Sequence, residues 1–266
     1  MMTKLELSPE ELAYLSGLLN LRADWGIQPQ FEQEDTAVLE NQILRLQTEL
    51  VSRSCLISQV DGYFTVEPQC RELLTGCVNC SQAYVLHSEN ADGLETRCYF
   101  FCDGSRLIRY YRYRDEQHLR GNNEFSFYST QLMDAEIRNC FDKKETADLD
   151  CSLITSVNVL RKIGSLTRNR FLNELNVLGC SADMAERIAE ALQGKNSFSS
   201  LLKLDVQKDR YTVCGKLMVL HCSRGGLMVT NVEGDPESVC LTAADTAQID
   251  RKLKELLGTA EEADVV

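Results

Sequence analysis

The sequence predicts an α+β fold: an antiparallel sheet flanked by helices, built from two pseudo-symmetric halves. Three observations carry this prediction. Leucines recur at helical spacing behind capping residues, as in Ser8-Pro9-Glu10-Glu11 ahead of Leu12, Leu15, Leu18 and Leu19. Short apolar runs separated by turn residues follow those helices, as on either side of Asp103-Gly104. The same order then occurs a second time: two or three helices, about four antiparallel strands, and a closing helix.

Taken in chain order, Ser8 caps the first helix, with Pro9 at its first position and Glu11 closing a capping box. A second helix is expected from about Thr36 to Arg53, with Leu39, Ile43, Leu46 and Leu50 on one stripe. Asp61-Gly62 between Leu56-Ile57 and Tyr63-Phe64 predicts a hairpin. Glu67-Pro68 opens a short helix carrying Leu73 and Leu74, with Gly76 as its expected C-cap. Strands follow over Ala83–Leu86, Arg97–Cys102, Leu107–Tyr113 and Phe125–Tyr128, and a helix capped by Ser129 or Thr130 runs to Phe141.

The polar, charge-rich segment 142–150 is expected to link the halves, placing one at 1–141 and the other at 151–258. In the second half, Leu153–Ile163 is expected to be helical, as are Thr167–Leu178 and a segment capped by Ser181 and closed by Gly194. Strands are expected over Ser199–Val206, Tyr211–Cys222 and Leu227–Val232, with Gly225-Gly226 as the hairpin between the last two. A short strand at Val239–Leu241 precedes a last helix that starts at Thr242 and Asp245 and ends at Gly258. The small, acidic tail 259–266 is expected to fray.

The chain has 266 residues, is 44% hydrophobic and carries a net charge of −12 from 28 basic and 40 acidic residues. That balance argues against nucleic-acid binding through a broad phosphate-neutralising surface. No stretch approaches the roughly 18 apolar residues of a membrane span, so membrane insertion is not expected. The count of 12 cysteines is high. They are scattered, the chain is long enough to fold without staples, and Met1 to Glu11 lacks a signal-peptide core. The expectation is therefore a reducing cytoplasm rather than a disulfide framework.

The sharpest chemical candidate is Cys77-Val78-Asn79-Cys80 with Cys98 and Cys102, which has the spacing of a zinc ribbon. Against it, Cys98 and Cys102 would lie about 13 Å apart on one face of an extended strand at a rise of ~3.3 Å per residue. Burial as small apolar side chains explains them without a metal. A redox role for the pair Cys77 and Cys80 would need a strand-to-helix turn, whereas the pair falls at a helix-to-strand turn. No cofactor is expected.

One stretch is both basic and aromatic, Arg106-Leu107-Ile108-Arg109-Tyr110-Tyr111-Arg112-Tyr113-Arg114. On a strand, Arg106, Ile108, Tyr110, Arg112 and Arg114 share one face, and Leu107, Arg109, Tyr111 and Tyr113 the other. Tyr and Arg are enriched at binding hot spots. Arg106, Arg109, Tyr110, Tyr111, Arg112 and Tyr113 are therefore the candidate partner-binding residues, beside the alternative of a half-exposed strand paired to surface carboxylates. The histidines at 87, 118 and 221 are isolated in sequence, and no nucleophile–base set, phosphate loop or metalloprotease motif occurs. A non-enzymatic protein is expected. The helix–helix–hairpin piece Thr36–Leu74 also resembles a winged helix, which keeps a transcriptional regulator open as an alternative beside a zinc-binding interaction module.

Three stretches resemble the EspG-type chaperones of type VII (ESX) secretion. They are Leu5–Leu15; Ile43–Val51 running through Asp61-Gly62 into Glu67–Leu74; and the strand meander that follows. The resemblance implies a central antiparallel sheet flanked by helices in two pseudo-symmetric halves. It also implies a cytosolic chaperone or adaptor that shields the apolar tips of helical-hairpin secretion substrates without ATP. No family binding residue carries over individually, because no binding motif matches.

Overall fold

A computed structural model of the chain describes residues 4–21, 36–90, 92–104, 106–114, 121–141, 152–193, 197–207, 210–223 and 225–258. The expected link at 142–150, the tail, the helix end at Gly194 and the isolated His118 fall outside them. The fold is α+β, with helices on antiparallel strands. The first run of elements is β1 (Leu5–Leu7), α1 (Pro9–Leu18), α2 (Thr36–Ser52), β2 (Leu56–Ser58), β3 (Phe64–Val66) and α3 (Pro68–Val78). The meander β4 (Gln82–Glu89), β5 (Glu95–Asp103), β6 (Arg106–Arg114) and β7 (Gly121–Tyr128) leads to α4 (Thr130–Phe141). Next come β8 (Ser152–Ser156), α5 (Val157–Gly164), α6 (Arg168–Val177) and α7 (Ala182–Gln193). A second meander, β9 (Phe198–Gln207), β10 (Arg210–Cys222), β11 (Gly225–Val232) and β12 (Asp235–Ala244), ends in α8 (Thr246–Leu257). Among the described residues, no helix is long and apolar enough to cross a membrane.

The chain divides into two compact units. The first comprises Met1–Ala83, Arg97–Thr130 and Asp205–Thr212. In it β1, β7, β6 and β5 lie side by side, each pair antiparallel. Cross-strand register aligns Leu5, Phe125, Tyr110 and Tyr99 in one row. Helices α1 and α3 contribute Leu12, Leu15, Leu73 and Leu74 to the core on this face. Tyr110 stacks on Phe125 at 4.7 Å and on Tyr99 at 5.4 Å. Its hydroxyl donates to Asn123 Oδ1 (2.9 Å), and Asn123 Nδ2 donates to the Leu7 carbonyl (3.1 Å). This chain of bonds satisfies polar groups in the dry core and ties the short β1 to the meander. Burial pushes the Tyr110 hydroxyl up to about 12, so it remains a donor.

The second unit comprises Tyr84–Thr96, Gln131–Leu204 and Val213–Val266. Here the order is β4, β9, β10, β11, β12, β8, with β10 through β8 antiparallel. Its core on one face takes Phe171 and Leu175 from α6 and Met184, Ile188 and Ala189 from α7, against Leu227, Leu241 and Leu153 of the sheet. On α8, Asp245 and Gln248 form a reciprocal capping box, and Gly258 takes the left-handed C-cap.

Several local expectations change. Leu153–Ile163 is not one helix. Ser152–Ser156 forms β8, in which Leu153 and Thr155 are buried and Ile154 is 64% exposed. Ser156 then caps α5 by accepting from the Asn158 amide. Five residues satisfy either period, and pairing with β12 decides the strand. Gly76 lies inside α3, whose cap is Asn79; a Cβ there would run into the end of Ile108. Gly225-Gly226 is not the hairpin turn, because Cys222 faces Gly225 and His221 faces Gly226 within the ladder. A Cβ on Gly226 would meet Val219 at 2.8 Å and Ile249 at 3.4 Å, so this glycine serves the close seating of α8. Thr242 belongs to β12, and Asp245 caps α8.

The hydrogen-bond chain makes a direct prediction. Tyr110→Phe leaves Asn123 Oδ1 without its buried donor and should lower stability by about 1–3 kcal/mol. Urea denaturation reads this as a lower midpoint at unchanged slope; an unchanged midpoint would show that the bond contributes nothing.

Candidate functional site

The second unit carries an apolar groove of about 450 Å³ between α5, α7 and the sheet. Its origin is local. Strand β10 alternates, sending Leu217 and Val219 into the interior and presenting Lys216, Met218 and Leu220 to the groove. Register brings Val229 beside Met218 and Leu241 beside Val229, completing the floor. The wall comes from Val157 and Leu160 of α5 and Leu192 of α7. The helix α5 is only 8 residues long and ends on Gly164, where a Cβ would meet nothing within 4 Å. The absence of a side chain there leaves part of the cleft open. Arg161 and Lys216 are the two charged residues of the lining.

The Arg/Tyr stretch forms β6 of the first unit. The structure divides the six candidate residues. Tyr110 is buried in the core. Arg109 lies on the opposite sheet face, where its guanidinium donates to Glu124 at 3.0 Å and sits 4.8 Å from the Tyr111 ring centroid and 5.6 Å from that of Tyr128. Lys4 reaches the same Glu124 at 2.9 Å and Glu6 at 2.6 Å. Arg106 is exposed at the end of the strand and pairs with Glu72 of α3. Arg112 is exposed and faces Arg97 in register. The side chain of Tyr113 falls outside the described residues.

The four cysteines of the zinc alternative occupy different settings. Cys77 is in the core beneath α3, with Ile108 and Tyr110, while alternation along β5 puts Cys98 and Cys102 on the other face from Tyr99 and Phe101. Cys80 follows α3 and is buried. Desolvation pushes its thiol up to about 11 and holds the Cys77 thiol well above its ordinary value. Cys55 and Cys70 hydrogen-bond to each other in the same core, which holds Cys55 down and Cys70 up. Among the described residues, no group of three or more His, Cys, Asp or Glu is placed to hold a metal ion.

Two histidines acquire partners that spacing does not show. His221 is buried and shares a 2.9 Å hydrogen bond with Ser199, whose hydroxyl also donates to the Cys140 carbonyl. His87 pairs with Glu95 at 2.8 Å and stands edge-on to Phe198. In the winged-helix-like piece, Arg53 is held by Glu11 at 2.7 Å and by the Glu6 carbonyl, so this cation is already neutralised. The hairpin β2–β3 exposes Ile57, Val60 and Tyr63.

No family model matches the sequence, and no curated protein matches it. The chain is similar in structure to the type VII secretion system chaperone EspG5 of Mycobacterium tuberculosis, solved in complex with the PE25–PPE41 dimer. The likeness has a TM-score of 0.65 and covers 98% of this chain and 98% of that one, at 10% sequence identity. The chain thus has an EspG-like fold, shared in architecture and not in sequence.

The thiol environments yield a prediction. Cys214 is the exposed cysteine among the described residues. Alkylation of the native protein near pH 8, followed by peptide mapping, should label Cys214 well before Cys77, Cys80 and Cys98. The Cys80 thiol stays protonated until about 11, so its nucleophilic form is scarce at that pH. Equal labelling of all four would contradict the burial described here.

Proposed function

We propose that this protein is a non-enzymatic chaperone or adaptor for helical-hairpin substrates of type VII secretion, working in a reducing cytoplasm. The observation that carries the reading is the apolar groove of the second unit. Its floor and wall suit the apolar tip of a helical hairpin better than a polar metabolite. The EspG-like fold supports the same class, since EspG5 is a chaperone seen in complex with the PE25–PPE41 dimer. Binding would exclude water from the client's tip by covering apolar area, a step that needs no bond chemistry and no nucleotide.

The strand β6 is proposed as a second contact surface, through Arg106, Arg109, Tyr111, Arg112 and Tyr113. Tyr110 serves it from the core, by holding the strand. The Arg109 guanidinium, fixed between Glu124 and two tyrosine rings, offers a preorganised polar face on a half-exposed sheet. The same reading takes the two halves as copies of one unit, supported by the leading strand of each pairing with the last strand of its meander, β1 with β7 and β8 with β12.

Co-purification of the tagged chain from its native host tests the function. A small helical protein should be recovered in stoichiometric amount. Met218→Glu, which sets a charge on the half-buried groove floor, should reduce that recovery by roughly tenfold or more while the melting temperature stays near that of the wild type. Recovery of no helical partner under any growth condition would overturn the reading.

A further inference from the structure

The charged residues of the groove are both cations. The chain has 40 acidic residues against 28 basic ones, and several cations of the second unit are neutralised locally. Arg138 pairs with Asp134 at 2.7 Å and with Asp250, Arg187 with Asp183 at 2.8 Å, Arg168 with Glu186, and Lys252 with Glu255 at 2.6 Å. Arg161 and Lys216 are set apart by their place at the cleft. Both are exposed, both line the apolar cleft, and they come from separate elements, α5 and β10. Among the described residues, neither has a carboxylate within ion-pair distance. The Arg161 guanidinium donates a long 3.4 Å hydrogen bond to Asn158 Oδ1. That contact orients the head group without neutralising it.

The last turn of α5 explains a cation at Arg161, since basic residues there complement the helix dipole. It does not explain Lys216, which lies on a strand. Two cations from different elements, left without counter-charges beside an apolar slot, make a local positive rim in an acidic protein. Low-dielectric walls strengthen the attraction such a rim exerts on a carboxylate held at its edge. A carboxylate at the rim keeps part of its water, so its desolvation costs little compared with full burial.

We infer that the occupant of the groove is an apolar hairpin tip flanked by acidic residues, its side chains seated on Met218 and its carboxylates on Arg161 and Lys216. This rests on the reading of the groove as the client site. It adds a selection rule, that clients with acidic flanks are preferred over neutral ones and clients with basic flanks are rejected. Rejection follows from two like charges at the rim and from the loss of water around them.

The test uses the full chain and three synthetic helical hairpins with one common apolar turn, flanked by two glutamates, two glutamines or two lysines. Fluorescence anisotropy measures their affinities. The glutamate hairpin should bind roughly fivefold more tightly than the glutamine one, the scale of two partly exposed ion pairs, and the lysine hairpin most weakly. The double variant R161E/K216E should invert the order. Should that variant fail to fold by circular dichroism, the single changes Arg161→Gln and Lys216→Gln should each shrink the glutamate preference. Equal binding of the glutamate and glutamine hairpins, with both lost in Met218→Glu, would overturn the acidic rule and leave the groove reading standing. A glutamate preference that survives R161E/K216E would also overturn it. Binding of none of the three would overturn both.

Discussion

The constraint on which this structure turns is the alternation of side chains along strands whose two faces both have work to do. Strand β10 shows it most sharply. Gly215, Leu217 and Val219 face α8, where a Cβ at Gly215 would collide with Leu256. The intervening Lys216, Met218 and Leu220 must then point the other way, into the groove. A shift of one residue in register would put the lysine under α8 and strip the floor from the cleft. The demands of the α8 interface therefore set the composition of the groove. In the first unit the same rule sends Ile108 and Tyr110 into the core and leaves Arg109 and Tyr111 on the opposite face.

The cysteines belong to this packing. Cys55, Cys70 and Cys77 fill the core beside Leu73 and Leu74, where small side chains allow α3 to approach the strands closely. Gly76 makes the same approach possible from the helix side, against Ile108. Desolvation raises the buried thiols Cys77 and Cys80, which keeps them protonated and weakly reactive. The charge distribution has a parallel logic. Carboxylates neutralise Arg53, Arg109, Arg138 and Arg187 in place, whereas the two charged residues lining the groove are both cations.

Much of the fold was legible in the residues. The capping box at Ser8, the Asp61-Gly62 hairpin and the two meanders follow from short-range rules of side-chain chemistry and period, whereas the box expected at Thr242 and Asp245 stands at Asp245 and Gln248 because Thr242 is drawn into β12. The edge strands β1 and β8 were not legible. At 3 and 5 residues, they have no stability of their own and exist by pairing with β7 and β12. The Arg/Tyr strand was readable as an amphipathic strand. Which of its faces is the interior was not, because Tyr110 and Tyr111 are alike as residues and are separated by the neighbours that stack on one of them.

The groove marks the boundary between the two kinds of information. The sequence by itself determined the alternation of β10 and the glycine terminus of α5, since each depends on neighbours within a few positions. Tertiary structure alone decided that α5 begins only after β8, that a cleft stays open between α5 and the sheet, and that Arg161 and Lys216 both line it. A gap is a property of two surfaces and of the distance between them, and no periodicity within either segment encodes that distance.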